Sequence, residues 1–307
     1  MKKLPDRETW FNIHLTKNLG KVKAQTVAQR IQRLGKNVSD LASMTVDGIC
    51  ESFGLPVSVA NELVSQLANP VWISEEMSER LVLPGDNNFP NELFLNASPP
   101  MPVALWLEGD VSLMRSTLPR LGIAGSRNTS EEILNLTHRL AGLAVKKNWV
   151  IVSGLAIGVD SAAHQGAIDN GGATVGVLAS GILKMGEIWK PSDFENVCFV
   201  SEFYPKTNWT GQQAMQRNGT IASLSDRVFI AASGESGGSW EMGQLCLKRN
   251  KPLFVLDLTE DDAPGNRRLI KAGGISVSPD DLEEVFGDSD QLVELEVIQL
   301  SLFEDKS

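Results

Sequence analysis

Two short stretches decide the fold of this chain: LGIAGSR at residues 121–127 and VIVSGLA at residues 150–156. Each is an apolar run that ends abruptly in Gly and Ser and precedes a helix-like pattern. Strands buried on both faces of a parallel sheet have this near-continuous apolar character. Glycine at the strand end lets backbone N–H groups approach a ligand, and the next helix directs its positive end there. The stretches therefore predict a Rossmann-like sheet with an anion crevice at the carboxyl ends of its strands.

The composition is that of an ordinary globular protein. The chain has 307 residues, 42% hydrophobic and 21% charged, which suits one large domain and one small domain. No run approaches the ~18 apolar residues of a membrane span, and the start, MKKLPDR, lacks the apolar core of a signal peptide. The three cysteines are widely separated, so we expect a reduced, cytoplasmic setting without disulfides or membrane contact.

Charge is distributed unevenly along the chain. The net charge of −10 argues by itself against a nucleic-acid partner. Residues 1–70, however, contain nine Lys and Arg against six Asp and Glu, whereas residues 260–307 contain four against thirteen. Because local sign matters more than the total for a charged ligand, the acidic C-terminal region does not exclude DNA.

Residues 1–70 are predicted to form a small all-helical domain, because apolar residues recur there at helical spacing. Within it, NLGKVKA at 18–24 resembles the turn of a helix-hairpin-helix module, in which a Gly turn and nearby lysines face a phosphate backbone. Lys21 and Lys23 are the candidate DNA contacts of this domain. The alternative is a helical bundle whose lysines are only solvated.

The rest of the chain divides into three predicted parts. Residues 71–100 are dense in turn-forming residues and predict a connector. In residues 101–286 strand and helix patterns alternate, which favours a parallel sheet in an α/β domain; its first helix carries a capping-box pattern at Thr129 and Glu132. Residues 287–307 form an acidic tail. Besides a strand near 103–110, we predict strands near 121–124, 149–153, 174–178, 197–201, 227–231, 253–257 and 275–277.

Arg127 is the main candidate for phosphate binding, because a guanidinium beside helix N–H groups can fork onto a phosphate. The alternative is an ion pair with a nearby carboxylate. Other polar or cationic residues near strand ends are expected to share the crevice, and Trp189 is a candidate for stacking on a base. The full set of candidate phosphate or DNA contacts is Gly125, Ser126, Arg127, Ser153, Gly154, Lys184, Lys190, Arg217 and Asn218.

No catalytic set is recognisable in the sequence. His14 and His138 lie on helical patterns, and His164 lies early in a helix, where a capping or core role is more natural than ligand contact. HxxxH, CxxC and GxxxxGK[ST] spacings are absent, and the first βα turn lacks GxGxxG. We therefore expect a protein that is not an enzyme and holds no metal or cofactor.

Several motifs resemble those of a known family, DprA/Smf, the DNA-processing proteins of bacterial transformation. They are GSR at 125–127, SGLAIGVDSAAH at 153–164, RN at 217–218 and IASLSD at 221–226, and the likeness extends over about residues 10–285. The resemblance implies an extended Rossmann core that forms a homodimer, binds single-stranded DNA and passes it to the RecA recombinase. It also implies that Arg127 grips a phosphate and that Arg217 and Asn218 form the family's Arg-Asn pair.

The chain departs from the family pattern in places. The second Arg of the family's RNR motif is Gly219 here, and the usual SGSLITA segment is SGGSWEMG at 236–243. We expect no C-terminal winged helix of the kind common in the family. The departures indicate a divergent branch whose basic pocket differs from the usual one.

The tail contains a second resemblance, to the pentapeptide that binds the bacterial sliding clamp. Its sequence is Gln299, Leu300, Ser301, Leu302 and Phe303. In such peptides Leu and Phe fill a groove of the clamp and Gln fixes the register. Large apolar residues in an acidic tail, where nothing buries them locally, suit this role. The alternative is a tail that folds back onto the sheet.

The leading hypothesis is a single-stranded-DNA-binding protein that is recruited to the sliding clamp, and two other classes stay open. One is a nucleotide phosphoribohydrolase, because Gly237, Gly238 and Glu241 echo the PGGxGTxxE motif of the LOG proteins with altered spacing. The other is a regulatory or antitoxin component of a phage-defence gene pair. Release of free base from nucleoside monophosphates would identify a phosphoribohydrolase. The neighbouring genes would identify a component of a phage-defence pair.

Overall fold

The computed structural model describes residues 4–185, 195–258 and 263–287. These residues form eleven α-helices and nine β-strands, in the α/β, Rossmann-like arrangement that the alternating sequence patterns predict. Within these ranges no helix combines the length and the apolar character needed to cross a bilayer.

The N-terminal part is a bundle of short helices. They are α1 (Asp6–Leu15), α2 (Gly20–Arg33), α3 (Val46–Phe53) and α4 (Val57–Ala68), with a 3₁₀ turn at Val38–Ser43. Each α-helix contributes a fully buried side chain to the bundle core: Phe11, Val27, Ile49 and Leu63. Helix α3 ends at Gly54, whose left-handed φ of 65° closes the helix.

The next segment joins the bundle to the sheet and contributes to the sheet itself. It contains α5 (Glu75–Ser78), β1 (Leu81–Val82) and α6 (Asn91–Asn96). Strand β1 pairs antiparallel with β2 (Leu105–Gly109). The sheet therefore begins inside the segment expected to be a connector. The sequence patterns did not predict β1, because a strand of two residues is too short to leave a periodic pattern.

The remaining described residues are a succession of strands and helices. The strands are β3 (Arg120–Ala124), β4 (Val150–Ser153), β5 (Thr174–Val177), β6 (Val197–Ser201), β7 (Arg227–Ile230), β8 (Leu253–Leu256) and β9 (Ile275–Val277). The α-helices are α7 (Glu131–Lys146), α8 (Val159–Asp169), α9 (Gly211–Leu224), α10 (Gly238–Lys248) and α11 (Pro264–Lys271), and 3₁₀ turns lie at Val111–Met114, Ile182–Lys184 and Leu282–Phe286.

The predicted strands from residue 121 onward are confirmed, each with ends within one residue of the expected ones. Every residue of β3 to β8 is buried, which explains their continuous apolar sequences. The expected cap of α7 is wrong by one position. Ser130, not Thr129, is the N-cap residue, and its hydroxyl accepts from the Ile133 N–H at 3.4 Å.

The strands form one sheet in the order β1-β2-β6-β5-β4-β3-β7-β8-β9. Strands β3 to β9 are mutually parallel, and β2 is antiparallel to β6 at one side. The chain builds outward from β3 through β4, β5 and β6, and then returns to the other side of β3 with β7. The strand order thus reverses between β3 and β7. In open α/β sheets, ligands bind outside the carboxyl ends of the strands at such a switch point.

The helical bundle and the sheet share a hydrophobic core. The fully buried ring of Trp106 in β2 lies edge-on to His14 of α1, with ring centres 5.7 Å apart. In α2, Gln25 donates 2.9 Å hydrogen bonds to the carbonyls of Phe94 and Ala97. Apolar and polar contacts therefore hold the bundle against the β2 side of the sheet.

Candidate nucleic-acid interface

A crevice of about 460 Å³ opens at the switch point between β3 and β7. Its walls come from the loops after β3, β4, β6 and β7, from α9, and from the starts of α8 and α10. The described residues that line it include Gly125, Ser126, Arg127, Asp160, Trp209, Met215, Arg217, Asn218, Ser236, Gly238 and Ser239. Five of the expected contacts are brought together here: Gly125, Ser126, Arg127, Arg217 and Asn218.

Arg127 follows β3 and is exposed at the crevice. Its guanidinium carbon lies 5.4 Å from the centre of the Trp209 ring, which is a cation–π distance. In the ranges that the structure describes, no carboxylate pairs with Arg127. Its N–H donors can therefore reach a ligand, and their planar fork matches the oxygens of a phosphate.

The backbone around Arg127 is fixed by short hydrogen bonds. The Ser126 hydroxyl donates to the Asn128 carbonyl at 2.7 Å and accepts from the Asn128 N–H at 3.1 Å. At the start of α8, the Val159 N–H donates to the Ser126 carbonyl at 3.2 Å. Gly158 has a φ of 84°, and a Cβ there would lie 2.6 Å from the Ser126 carbonyl oxygen, so glycine is required. The start of α8, with Asp160 in its first turn, is thereby set beside Arg127.

Arg217 braces the floor of the crevice and is 4% exposed. Its Nη1 donates to the Val177 carbonyl at 3.1 Å and lies 3.7 Å from an oxygen of Asp160. Burial lowers the pKa of Arg217 and raises the pKa of Asp160, and the charge of each partner opposes the shift of the other. Gly154 makes room for the pair, because a Cβ there would overlap the Arg217 Nη1.

Asn218 connects α9 to the start of α10. Its Nδ2 donates to the Gly238 carbonyl at 3.0 Å. Helix α10 begins at Gly238, and its first turn lines the crevice together with Ser236 and Ser239. The N-termini of two helices, α8 and α10, therefore border the crevice; that of α8 already carries the carboxylate of Asp160, whereas that of α10 favours an added negative charge.

Several expected contacts lie elsewhere. Ser153 is fully buried, and its hydroxyl donates to the Ile123 carbonyl at 2.7 Å, so it ties β4 to β3 and does not face a ligand. Lys184 is exposed in the 3₁₀ turn after β5 and is not among the lining residues that the structure describes. Lys190 and Trp189 lie outside the described residues, as does the tail motif at 299–303.

The two lysines expected to contact DNA from the helical bundle are engaged within the chain. Lys21 Nζ lies 2.7 Å from a carboxylate oxygen of Glu202 and 2.9 Å from the Thr220 hydroxyl. Lys23 donates to the Asn18 carbonyl at 2.9 Å. Lys21 therefore faces the sheet and not a phosphate backbone, which corrects the sequence-based expectation. A local motif could not reveal this partner, because Glu202 is 181 residues away along the chain.

Sequence reasoning missed the apolar rim of the crevice. Trp209 and Met215 line it and are 53% and 51% exposed. Ile157, in the loop after β4, is 66% exposed. The available signal was topological: loops that follow parallel strands meet at one edge of the sheet. An apolar residue in such a loop, outside any periodic pattern, is a candidate for ligand contact.

The loop before α10 contains one further motif. Residues 234–238, GESGG, have the G-x-S-x-G spacing of a hydrolase nucleophile elbow. Ser236 lines the crevice, but no histidine does so among the described residues. His164 is fully buried and hydrogen-bonded to Thr174, and His138 pairs with a carboxylate at the surface. The described crevice therefore offers Ser236 no histidine base.

Comparison with known proteins places these features in a family. The model of the family DNA recombination-mediator protein A matches residues 80–287, which contain the whole sheet and every lining residue of the crevice. DNA processing protein DprA of Bacillus subtilis is 30% identical over 60% of this chain and 64% of its own length. Protein Smf of Synechocystis is 26% identical over 86% of this chain and 68% of its own length. The chain thus spans about two thirds of these curated relatives.

Solved structures agree with the fold. DNA processing protein A from Streptococcus pneumoniae superposes with a TM-score of 0.69 at 21% identity, covering 92% of this chain and 98% of that one. The same protein from Helicobacter pylori, solved to explain its single-stranded DNA binding mode, gives a TM-score of 0.53 at 25% identity, covering 62% and 87%. With the family model spanning well over half of its residues, this chain belongs to the DNA recombination-mediator protein A family.

Proposed function

We propose that the chain binds single-stranded DNA in the crevice at the switch point and acts in DNA processing and recombination. The observation that carries the proposal is the exposed guanidinium of Arg127, which lies over Trp209 beside the N-termini of α8 and α10. Two comparisons support it: membership of a recombination-mediator family, and similarity to the Helicobacter pylori protein that binds single-stranded DNA.

The chemistry of the crevice suits both parts of a nucleotide. Arg127 and the N-terminus of α10 would hold phosphate oxygens. The exposed faces of Trp209 and Met215 would take bases, since stacking of a base on an aromatic ring contributes about 1–3 kcal/mol. A duplex keeps its bases stacked inside, so an apolar rim beside a phosphate site favours a single strand.

Fluorescence anisotropy with a labelled oligothymidine tests this site. For single strands, log affinity falls with log salt by about 0.7 per phosphate contact. Arg127→Ala should therefore weaken binding and make that slope shallower by about 0.7. Arg115→Ala, which removes an exposed arginine near the amino end of β3, should change neither quantity. Identical affinity and slope for Arg127→Ala and the parent chain would exclude this crevice as the DNA site.

We further propose that the crevice performs no bond-breaking chemistry. Asp160 is the carboxylate among its described lining residues, and it lies buried against Arg217, 6% exposed, where a bound ligand has little access to it. The phosphoribohydrolase alternative requires release of free base from nucleoside monophosphates. Chromatography of such mixtures should detect no free base above a no-protein control, and steady release would overturn the proposal.

We also propose that residues 299–303, QLSLF, dock on the bacterial sliding clamp. The support is the sequence itself and the acidic residues around it. Surface plasmon resonance with purified clamp should show binding of the full chain. The double variant Leu302→Ala with Phe303→Ala should lose it, because both apolar anchors are gone. Equal binding by the two proteins would refute the proposal.

Two further partners are proposed from the family resemblance: a second copy of this chain and the RecA recombinase. Sedimentation equilibrium at micromolar concentration should give a dimer mass. Loading of RecA onto a single strand coated with single-strand-binding protein should be faster with this chain present. A monomer mass contradicts the first proposal, and an unchanged loading rate contradicts the second.

A further inference from the structure

Glu202, just after β6, is a buried carboxylate that joins separate parts of the fold. Its side chain is 2% exposed. It accepts hydrogen bonds from the Thr220 hydroxyl at 2.6 Å and from Gln216 Nε2 at 2.9 Å. Lys21 Nζ lies 2.7 Å from one of its oxygens and 2.9 Å from the other. Because Lys21 belongs to α2 whereas Gln216 and Thr220 belong to α9, one carboxylate ties the helical bundle to α9.

Helix α9 is the element that carries two crevice residues. Gln216 and Thr220 are four positions apart and so lie on one face of the helix, which Glu202 holds. Arg217 and Asn218 lie between them in sequence and line the crevice. The contacts at Glu202 therefore contribute to the rotation of α9 about its axis, and with it to the direction of both crevice side chains.

The positive charge of Lys21 is needed because a buried carboxylate without a counter-ion is costly. Of the described residues, Lys21 is the one that forms an ion pair with Glu202. Without its ammonium group, Glu202 would either take up a proton or draw another cation toward it. Either response changes the hydrogen bonds that Glu202 offers to α9.

Arg217 is the cation that would move toward Glu202 most easily. Its Nη1 donates to the Val177 carbonyl, but the nearest oxygen of Asp160 is 3.7 Å away, and Nε has no hydrogen-bond acceptor among the described residues. Burial lowers the pKa of Arg217, and the charges of Asp160 and Glu202 both oppose that shift. Glu202 thus already acts on the arginine that braces the crevice floor.

We infer that Lys21 is a positioning residue of the crevice. By neutralising Glu202 it keeps α9, with Arg217 and Asn218, in the orientation seen here. The helical bundle thereby acts on the candidate DNA site without touching the ligand. The consequence for DNA affinity rests on the proposed function, whereas the consequence for α9 does not.

Three variants and two measurements test the inference. Lys21→Met removes the ammonium group and keeps a long apolar side chain. Arg33→Met, at the other end of the same helix, is the matched control, because Arg33 is an exposed cation away from Glu202. Lys21→Met combined with Glu202→Gln removes both charges. Hydrogen–deuterium exchange of the Gly211–Leu224 helix reports on α9 without DNA, and oligothymidine anisotropy reports on affinity.

Lys21→Met should speed exchange in α9 and lower single-stranded DNA affinity about two- to thirtyfold, the range that changes along such side-chain networks produce. The double variant should recover most of both losses, because no unpaired carboxylate remains. Arg33→Met should match the parent chain in both measurements.

Unchanged exchange of α9 in Lys21→Met would overturn the inference. So would a double variant as impaired as the single one, because Lys21 would then be only a packing contact. If α9 responds as expected and the parent chain binds no single-stranded DNA, the proposed function fails and the positioning role stands. If the parent chain binds single-stranded DNA and the exchange of α9 does not change in Lys21→Met, the positioning role fails and the proposed function stands.

Discussion

The guanidinium of Arg127 lies over the ring of Trp209, with 5.4 Å from its central carbon to the ring centre. The two residues come from different loops, one after β3 and the other between β6 and α9. An aromatic face orients a guanidinium by its quadrupole and does not neutralise it. The cation is therefore preorganised at the crevice while its N–H donors stay available for an anion.

Trp209→Ala should weaken single-stranded DNA binding by about 1–3 kcal/mol, because it removes a stacking surface and releases the guanidinium of Arg127. Trp209→Phe keeps an aromatic face and should retain most of the affinity. Anisotropy titrations with oligothymidine measure both. Trp72→Ala removes a tryptophan that is 61% exposed between α4 and α5, and should leave affinity unchanged. Full affinity in Trp209→Ala would show that the ring takes no part in binding.

Gly154→Ala should destabilise the chain by about 2–4 kcal/mol, through overpacking and disruption of a buried ion pair. The added methyl group would overlap Arg217 Nη1 and lie against Asp160. Urea unfolding at neutral pH measures the loss. A variant as stable as the parent would mean that Arg217 can leave its position at no cost, and that the crevice floor is not braced by this pair.

Gly219→Ala should raise the free energy of unfolding, in contrast to Gly154→Ala. Gly219 lies inside α9, and among the described residues a Cβ there would meet one group, a Leu245 methyl at an ordinary 3.7 Å. Alanine is favoured over glycine in a helix interior by about 1 kcal/mol, so the variant should unfold at a higher urea concentration. Measured beside Gly154→Ala, it separates the effect of an added methyl group from the effect of its surroundings. A destabilised Gly219→Ala would mean that α9 packs more tightly than described.

Sequence patterns predicted most of the fold, because the parallel strands are buried on both faces. A strand such as β4, with every residue buried, leaves an apolar run that ends at a glycine, and Arg127 could be assigned to the crevice because it follows β3 directly. Trp209 could not be assigned to the crevice from the sequence, since its loop has no periodicity. The sequence patterns assigned Lys21 to DNA contact and not to an ion pair, because its partner, Glu202, meets it only through packing of distant segments.

Two histidines whose pKa is lowered in the folded chain should make its stability depend on pH. Burial lowers the pKa of His14 to about 4, with opposing effects from Glu202 and Lys21. Burial, together with the charge of Arg217, lowers the pKa of His164 to about 3. In the unfolded chain a histidine titrates near pH ~6.5. The unfolded state therefore binds protons first as the pH falls, so this stability is complete above about pH 6.5 and is lost progressively toward pH 4 for His14 and toward pH 3 for His164.

His14→Met isolates one of these contributions, because it keeps an apolar side chain against Phe11 and Trp106 and removes the titrating ring. Over the interval from pH 6 to 4.5, each buried neutral histidine adds at most about 1.4 kcal/mol per pH unit to the slope of unfolding free energy. The free energy of unfolding of the variant, from urea titrations, should therefore fall less steeply than that of the parent by roughly that amount. The same pair measured at pH 8 gives the packing cost of the substitution alone. Parallel pH profiles for the two proteins would mean that His14 is protonated as readily in the folded chain as in the unfolded one, and is not buried against Trp106.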